Sequence, residues 1–282
     1  EAAMYEAKRA GRNSHCVYSS ALSIGAAERL SIESALRSAV AKGELMLYYQ
    51  SQVALGSGCA VGVEALVRWQ HPELGILPPG RFIPVGEEMG IIGEIGAWVL
   101  EDACRQMVAW RARGLEVPRV AVNLSAPQVD SETLIPLVSR VLERTGLEAS
   151  RLELEVTESI IMREPDKSAA ALSGLREMGI RIAIDDFGTG YSSLNYLKHL
   201  PIDRLKIDRS FVRDTHTDHN SRAISRAIIG LARSLELETV AEGIEDERQL
   251  DFLRAEGCPV GQGYLFSRPV SGAELAGVWR FC

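Results

Sequence analysis

The chain has 282 residues, of which 46% are hydrophobic and 24% charged, the composition of an ordinary globular protein. Its 31 basic residues stand against 38 acidic ones, a net charge of −7, so it lacks the basic surplus needed to bind a nucleic-acid backbone, and we expect no DNA partner. The five cysteines are scattered and no apolar run approaches the length of a membrane span, so we expect reduced thiols, a cytoplasmic location and no membrane contact by these residues.

The amino-terminal segment has a different character from the rest of the chain. Residues 1–13 predict the end of an amphipathic helix that stops at Gly11, and the polar stretch 13–23 predicts a linker. We therefore expect residues 24–282 to form one domain. The chain begins with Glu1 rather than Met, as a piece of a longer protein would, and that longer protein could be membrane-anchored.

From about residue 26 onward, helical patterns alternate with short apolar runs rich in Val, Ile and Leu. The predicted strands are 45–49, 61–66, 120–122, 152–156, 180–184, 204–207, 238–241 and 259–260. The predicted helices are 27–41, 91–113, 134–145, 167–178, 192–199, 221–235, 247–255 and 273–279. This alternation predicts an α/β fold, a modified TIM-type (β/α)₈ barrel. The turn at 56–58 is too short for a helical crossover, so the first strand should run antiparallel to the rest.

Polar side chains lie in or just after each predicted strand. They are Gln50, Glu64, Arg68, Asn123, Glu155, Asp185, Asp186, Lys206, Glu242 and Gln262. Side chains at the carboxyl ends of barrel strands converge on one face, where barrel enzymes place their active sites. Singly, each could form an ordinary salt bridge or hydrogen bond, but so many charges in apolar strands are costly unless paired or bound to metal. Within this set, five carboxylates and the amide oxygen of Asn123 form an all-oxygen group of ligands without Cys or His, which favours Mg²⁺ or Mn²⁺ over zinc. The adjacent Asp185 and Asp186 could bridge two ions.

These residues lie in motifs that together resemble the EAL family over about residues 28–280. The motifs are Glu-Ala-Leu at 64–66, Asn-Leu-Ser at 123–125, Glu-Val-Thr-Glu at 155–158, Asp-Asp-Phe-Gly-Thr-Gly at 185–190, Lys-Ile-Asp at 206–208, Ala-Glu-Gly at 241–243 and Gly-Gln-Gly-Tyr at 261–264. Residues 1–13 likewise resemble the last helix of a GGDEF domain, which implies a tandem arrangement in the natural protein.

The resemblance implies a phosphodiesterase that opens cyclic di-GMP to linear pGpG with two Mg²⁺ or Mn²⁺ ions, and it implies a homodimer.

 By residue-to-residue correspondence, the resemblance implies these roles. The implied metal ligands are Glu64, Asn123, Glu155, Asp185, Asp186 and Glu242. Lys206 would position the attacking water, Glu242 is also the candidate general base, and Gln262 would act near the metals. Arg68 would contact a substrate phosphate, Gln50 would face the substrate, and Glu158 would stabilise the loop 185–194.

Two other functions stay open at this point. A degenerate EAL domain could bind cyclic di-GMP as a sensor without cleaving it, although every expected ligand is present here. An unrelated Mg²⁺ barrel enzyme could use Lys206 as a proton-abstracting base, as in enolase-like chemistry. Formation of pGpG would distinguish the phosphodiesterase from both.

Overall fold

The computed structural model describes residues 20–190, 194–278 and 281. The segment that resembles a GGDEF tail lies outside the described residues, and the domain boundary after residue 23 stays a prediction. The chain divides into two compact units, one formed by Glu1–Met46 and Arg68–Ile95 and the other by Leu47–Val67 and Gly96–Cys282.

The described strands and helices follow one another in the predicted alternating order. The strands are β1 (Leu45–Ala54), β2 (Ala60–His71), β3 (Gly75–Leu77), β4 (Val120–Asn123), β5 (Leu152–Thr157), β6 (Arg181–Phe187), β7 (Arg204–Ile207), β8 (Glu238–Ala241), β9 (Val260–Gly261) and β10 (Val270–Ser271). The helices are α1 (Ser20–Ala39), α2 (Pro79–Glu88), α3 (Ile92–Ala112), α4 (Ala126–Val129), α5 (Leu134–Thr145), α6 (Glu158–Ile161), α7 (Pro165–Glu177), α8 (Leu194–Leu197), α9 (Arg209–Arg213), α10 (His219–Ser234), α11 (Glu247–Ala255) and α12 (Gly272–Val278), with a 3₁₀ turn at Ala149–Arg151.

The strands form a closed barrel. Their order is β10-β1-β9-β8-β7-β6-β5-β4-β2-β3, and an additional β1–β2 pairing joins the two ends of the eight-stranded part. Strands β2 and β4 to β9 pair in parallel, whereas β1 is antiparallel to β9. The Ala54 N–H donates to the Cys59 carbonyl at 2.8 Å, and this tight turn leaves no room for a crossover helix. The predicted barrel with a reversed first strand is confirmed.

Charged and apolar side chains alternate along the barrel strands. In β5, Leu152, Leu154 and Val156 are buried, and so are the intervening Glu153 and Glu155. Successive side chains of a strand point to opposite faces. The two glutamates contact residues of β7, which lies two strands away in the sheet, so they reach across the barrel interior. The polar side chains therefore line the interior, and the intervening apolar side chains lie on the opposite face of the strand.

The first unit contains elements that the sequence pattern did not predict. The hairpin between β2 and β3 places Trp69 edge-on to His71 and Phe82, with ring centroids 4.6 Å and 5.7 Å apart. The indole Nε1 of Trp69 donates to Glu44 at 3.1 Å. Helix α2 begins with proline at its first position, where the missing N–H costs nothing. It was missed because it is short and carries a second proline, Pro84, inside it.

Several predicted boundaries were wrong. Helix α1 already includes Ser20, inside the stretch predicted as a linker, and α8 ends at Leu197, before the predicted end at residue 199. Strands β1 and β2 are longer than predicted because each continues beyond its apolar run. Cys104 and Cys258 are free and buried, but Cys59 is disulfide-bonded, so the prediction of reduced thiols was wrong for that residue. Sequence spacing cannot reveal such a pairing because it depends on which residues the fold brings together.

Among the described residues, no helix has both the length and the apolar character needed to cross a membrane.

Candidate active site

The polar residues predicted at the strand ends come together at one end of the barrel, within the second unit. They are Gln50, Glu64, Asn123, Glu155, Asp185, Asp186, Lys206, Glu242 and Gln262. Parallel strands present their carboxyl ends on the same side of a barrel, which is why residues far apart in sequence meet here. Gln50 joins them from the reversed strand β1.

Lys206 occupies the centre of the acidic residues. Its side chain is only 1% exposed, and its Nζ lies 2.5 Å from Glu155 Oε2, 2.8 Å from Glu242 Oε1, 3.2 Å from Asp185 Oδ1 and 3.7 Å from Glu64 Oε2. Burial alone would lower the pKa of Lys206, but the four carboxylates raise it well above its ordinary value. The ammonium group is therefore held in its charged form.

Amide groups fix the carboxylate of Glu64 from two sides. Asn123 Nδ2 donates to Glu64 Oε1 at 2.6 Å, and Gln262 Nε2 donates to Glu64 Oε2 at 2.6 Å. The same Gln262 nitrogen lies 3.1 Å from Gln50 Oε1, and Gln50 Nε2 donates to the Ser267 carbonyl at 2.9 Å. Both oxygens of Glu64 are thus held in one orientation.

Asp185, Asp186 and Glu242 form the most open part of the site. Each offers an oxygen, and these oxygens all lie within 4.8 Å of one another. Asp186 has a φ of +52°, a left-handed conformation that Asp tolerates better than most residues, and its N–H donates to Asp185 Oδ1 at 2.9 Å. This local turn gives two consecutive carboxylates access to the same space.

The carboxyl groups at this end of the barrel are crowded. Burial is the main cause that raises the pKa of Glu242 to about 8, and Asp185 adds to it against the opposing effect of Lys206. Burial also raises the pKa of Asp186 to about 6, followed by repulsion from Asp185 and Asp208. The pKa of the buried Glu155 is raised well above its ordinary range, although Lys206 opposes the effect of burial. The single positive charge of Lys206 is therefore not enough to balance the negative charges of the carboxyl groups around it.

The donor set fits a hard divalent cation. Glu155 Oε1 and Gln262 Oε1 are buried atoms without a hydrogen-bond partner, and a buried oxygen of this kind is costly unless something binds it. A divalent cation would supply such a partner and would relieve the repulsion among the carboxylates. The ligands are all oxygens, the set that Mg²⁺ and Mn²⁺ share.

Two other predicted residues lie apart from this group. Glu158 Oε2 accepts a hydrogen bond from the Gly188 N–H at 2.8 Å, so it holds the turn that follows β6. Arg68 lies in β2, four residues after Glu64, but in the first unit. Its contact with a substrate phosphate stays a prediction.

The sequence reasoning missed three buried or partly buried acidic and basic residues near the site. Asp208, two residues after Lys206, hydrogen-bonds Asp186, and the Lys-Ile-Asp motif already contained it. Glu153 and Arg204 precede Glu155 and Lys206 by two positions and are also buried. The signal that could have identified them is the two-residue spacing of charged residues in an otherwise apolar strand.

Comparison with known proteins places the chain in a family. Residues 33–269 match the family described as the EAL domain. The chain belongs to the EAL domain family. The bifunctional diguanylate cyclase/cyclic di-GMP phosphodiesterase MucR of Pseudomonas aeruginosa is 47% identical to this EAL domain over 275 residues, which cover 98% of the chain and 40% of MucR. The cyclic di-GMP phosphodiesterase NbdA of the same organism is 45% identical over 273 residues, which cover 97% of the chain and 35% of NbdA.

Solved structures of EAL domains have the same fold. The PaMucR phosphodiesterase in complex with c-di-GMP is 48% identical, with a TM-score of 0.84, over 86% of this chain and 99% of that one. The EAL domain of Mycobacterium smegmatis DcpA is 35% identical, with a TM-score of 0.70, over 83% of this chain and 95% of that one. This EAL domain spans 40% or less of the length of MucR and NbdA.

Proposed function

We propose that this EAL domain hydrolyses cyclic di-GMP to linear pGpG, using two Mg²⁺ or Mn²⁺ ions. The observation that carries the proposal is the ring of carboxylates around Lys206. It lies in a chain 48% identical to a phosphodiesterase solved with c-di-GMP.

The proposed metal ligands are the oxygens that the fold gathers at the carboxyl ends of the strands. They belong to Glu64, Asn123, Glu155, Asp185, Asp186 and Glu242. When bound, the ions would lower the pKa of a water molecule and offset the charge that develops on the phosphoryl oxygens. Asp185 and Asp186 are the pair suited to contribute to both ions, because their carboxylates share one space.

The residues of the chain would orient water and move its proton. Water attacks phosphorus, the bond from phosphorus to one 3′ oxygen breaks, and that oxygen takes up a proton from the solvent, so that the single product, pGpG, carries a 5′-phosphate and a 3′-hydroxyl. We assign Glu242 as the base that takes the proton from water, and Lys206, 2.8 Å from Glu242, as the group that orients that water. Gln262 would bind substrate near the metals, Gln50 would face the substrate, and Arg68 would contact a substrate phosphate.

The setting of this activity is also part of the proposal. We infer bacterial second-messenger signalling in the cytoplasm, a homodimer, and a GGDEF domain preceding residue 24 in the natural protein. The support is the resemblance of residues 1–13 to a GGDEF tail and the bifunctional name of the relative MucR.

A sensor that binds cyclic di-GMP without cleaving it is the second candidate, and an enolase-like reaction with Lys206 as base is the third. Complete carboxylate ligands favour catalysis over the sensor. The contacts of Lys206 with four carboxylates keep it protonated, which disfavours its use as a proton-abstracting base.

The test is an incubation of the purified chain with cyclic di-GMP and Mg²⁺ or Mn²⁺, followed by chromatography of the nucleotides. We expect pGpG to form and to depend on the added metal. Tight binding of cyclic di-GMP with no product would favour the sensor. The absence of both binding and product would contradict the phosphodiesterase and the sensor alike.

Glu64→Ala should abolish turnover, because it removes a carboxylate that two amide groups hold at the proposed metal site. The measurement is the rate of pGpG formation, with Glu132→Gln on the exposed surface as the control that keeps wild-type activity. Near-normal activity of Glu64→Ala would show that the metal-site assignment is wrong.

A further inference from the structure

A second layer of polar side chains lies in the barrel, closer than the candidate active site to the amino ends of the parallel strands. We call it the floor layer, and its members are Gln52, Arg119, Glu153, Arg181, Arg204 and Glu238. Arg204 is at its centre: its Nη1 lies 2.9 Å from Glu153 Oε1 and 3.0 Å from Gln52 Oε1, and its Nε lies 2.5 Å from Glu238 Oε2. Strand β7 is separated from β5 and from β1 by other strands, so these contacts cross the barrel interior.

The floor layer has a regular relation to the active site. In or directly before five of the parallel strands, β4 to β8, a floor residue precedes a site residue by two or four positions, whereas β2 and β9 contribute no floor residue. The pairs are Arg119 and Asn123, Glu153 and Glu155, Arg181 and Asp185, Arg204 and Lys206, and Glu238 and Glu242. In the reversed strand β1 the order is inverted, since Gln52 follows Gln50. Because side chains repeat every two residues on one face of a strand, the two layers stack along the barrel axis.

Glu153 is paired on both of its oxygens within the floor layer. Arg119 Nη1 lies 3.1 Å from Glu153 Oε2, so both oxygens of this buried carboxylate have a guanidinium partner. Strand β2 contributes only Gly62 at this level, where an added Cβ would lie 3.3 Å from Gln52 Oε1. A shift of β7 relative to β5 would therefore break the contact between Arg204 and Glu153.

A contribution to the folding stability of the chain does not by itself explain why this layer contains buried ion pairs. Replacing a buried ion pair by well-packed apolar residues is often neutral or stabilising, because the charges no longer need to be desolvated. Arg204 and Glu153 lie one side-chain repeat, about 6.6 Å, below Lys206 and Glu155 on the same two strands. The same two strands therefore carry both ion pairs, Arg204 with Glu153 and Lys206 with Glu155.

We propose that Arg204 and Glu153 are positioning residues, which hold β7 and β5 at the axial offset that keeps the carboxylates around Lys206 spaced for a divalent cation. The inference rests on the proposed metal site. Arg204 touches none of the proposed ligands and acts through the strand that carries Lys206.

The test is a titration of the full 282-residue chain with Mn²⁺ alone, with free Mn²⁺ measured by electron paramagnetic resonance. Arg204→Lys keeps the charge but cannot reach Glu153, Gln52 and Glu238 together. We expect it to bind Mn²⁺ about tenfold more weakly than wild type, the loss seen when groups supporting metal ligands are changed. Arg204→Met combined with Glu153→Leu removes both fully buried charges and leaves the partly exposed Arg119 and Glu238, 4.0 Å apart, to pair with each other. This double variant should weaken Mn²⁺ binding as well.

The matched control is Leu172→Ala, a buried position in α7 outside the barrel strands. It should lower the melting temperature but leave Mn²⁺ affinity unchanged. Loss of affinity in Arg204→Lys no greater than in Leu172→Ala would overturn the positioning role. If the wild-type chain bound no Mn²⁺, the proposed metal site would fail and this inference with it, whereas unchanged binding in Arg204→Lys would overturn the inference alone.

Discussion

Glu64 and Glu242 show how neighbours give chemically identical groups different properties. Two amide groups hold Glu64 by both oxygens. Glu242 is held by the Lys206 ammonium on one oxygen, and burial raises its pKa to about 8. A carboxyl with a pKa near neutrality can exchange a proton with water at physiological pH, which suits the base role proposed for Glu242.

The raised pKa of Glu242 predicts how the stability of the metal-free chain depends on pH. The folded chain binds this proton more tightly than the unfolded chain, whose carboxyl has the ordinary value of 4.5. Stability should therefore fall as the pH rises from about 4.5 to about 8. Lys206 stays charged in both states over this range, since its pKa is raised, and adds no slope.

The measurement is the melting temperature of EDTA-treated protein between about pH 5 and pH 8. Glu242→Gln should make the decline shallower, with a remainder from Asp186, whose pKa is raised to about 6. Glu132→Gln, on the exposed surface, should keep the full decline. An equal decline in wild type and Glu242→Gln would mean that Glu242 does not titrate in this range.

At the scale of elements, the turn after β6 positions the two adjacent aspartates. Gly188 has a φ of +97°, and an added Cβ would lie 3.0 Å from Phe211 and 3.1 Å from Ile228. Its N–H donates to Glu158, which begins α6. The backbone conformation of Gly188 and its packing against α9 and α10 thus together fix the shape of the turn.

Gly188→Ala should destabilise the chain by about 1–3 kcal/mol, the cost of a side chain in a backbone conformation that it rarely adopts. Urea unfolding measures the loss. Gly58→Ala is the control, because Gly58 has a φ of +75° but open space around it, so it reports the backbone strain without the contacts. A loss at Gly188 no larger than at Gly58 would contradict the packing argument.

At the scale of the whole molecule, barrel closure joins residues from across the sequence. The proposed ligands come from β2, β4, β5 and β6 and from the residue after β8, so a bound cation would link most of the barrel. A ligand that binds only the folded chain adds its binding free energy to stability, about 2.7 kcal/mol at one hundred times the dissociation constant.

We therefore expect saturating Mn²⁺ to raise the melting temperature by about 5 °C or more, given roughly 2–4 °C per kcal/mol for a chain of this size. Differential scanning calorimetry with and without Mn²⁺ measures the shift. The shift should disappear in Glu64→Ala and persist in Glu132→Gln, and an equal shift in Glu64→Ala would place the ion elsewhere.

The sequence by itself determined the eight strands of the barrel, the reversed first strand and the polar residues at the strand ends. Each of these follows from local information: side-chain periodicity gives the strands, and a turn too short for a helix reverses β1. The convergence of Glu155, Lys206 and Glu242 also followed, because parallel strands present their carboxyl ends on one side of any barrel.

Only the tertiary structure decided which of these groups touch. The offset between β5 and β7 places Lys206 against Glu155 and Arg204 against Glu153, and no local pattern encodes that offset. The left-handed backbone of Asp186 depends on the packing of its turn. Contacts across a barrel interior arise when the sheet closes, so strand stagger and closure, rather than any short stretch of sequence, determine the geometry of the site.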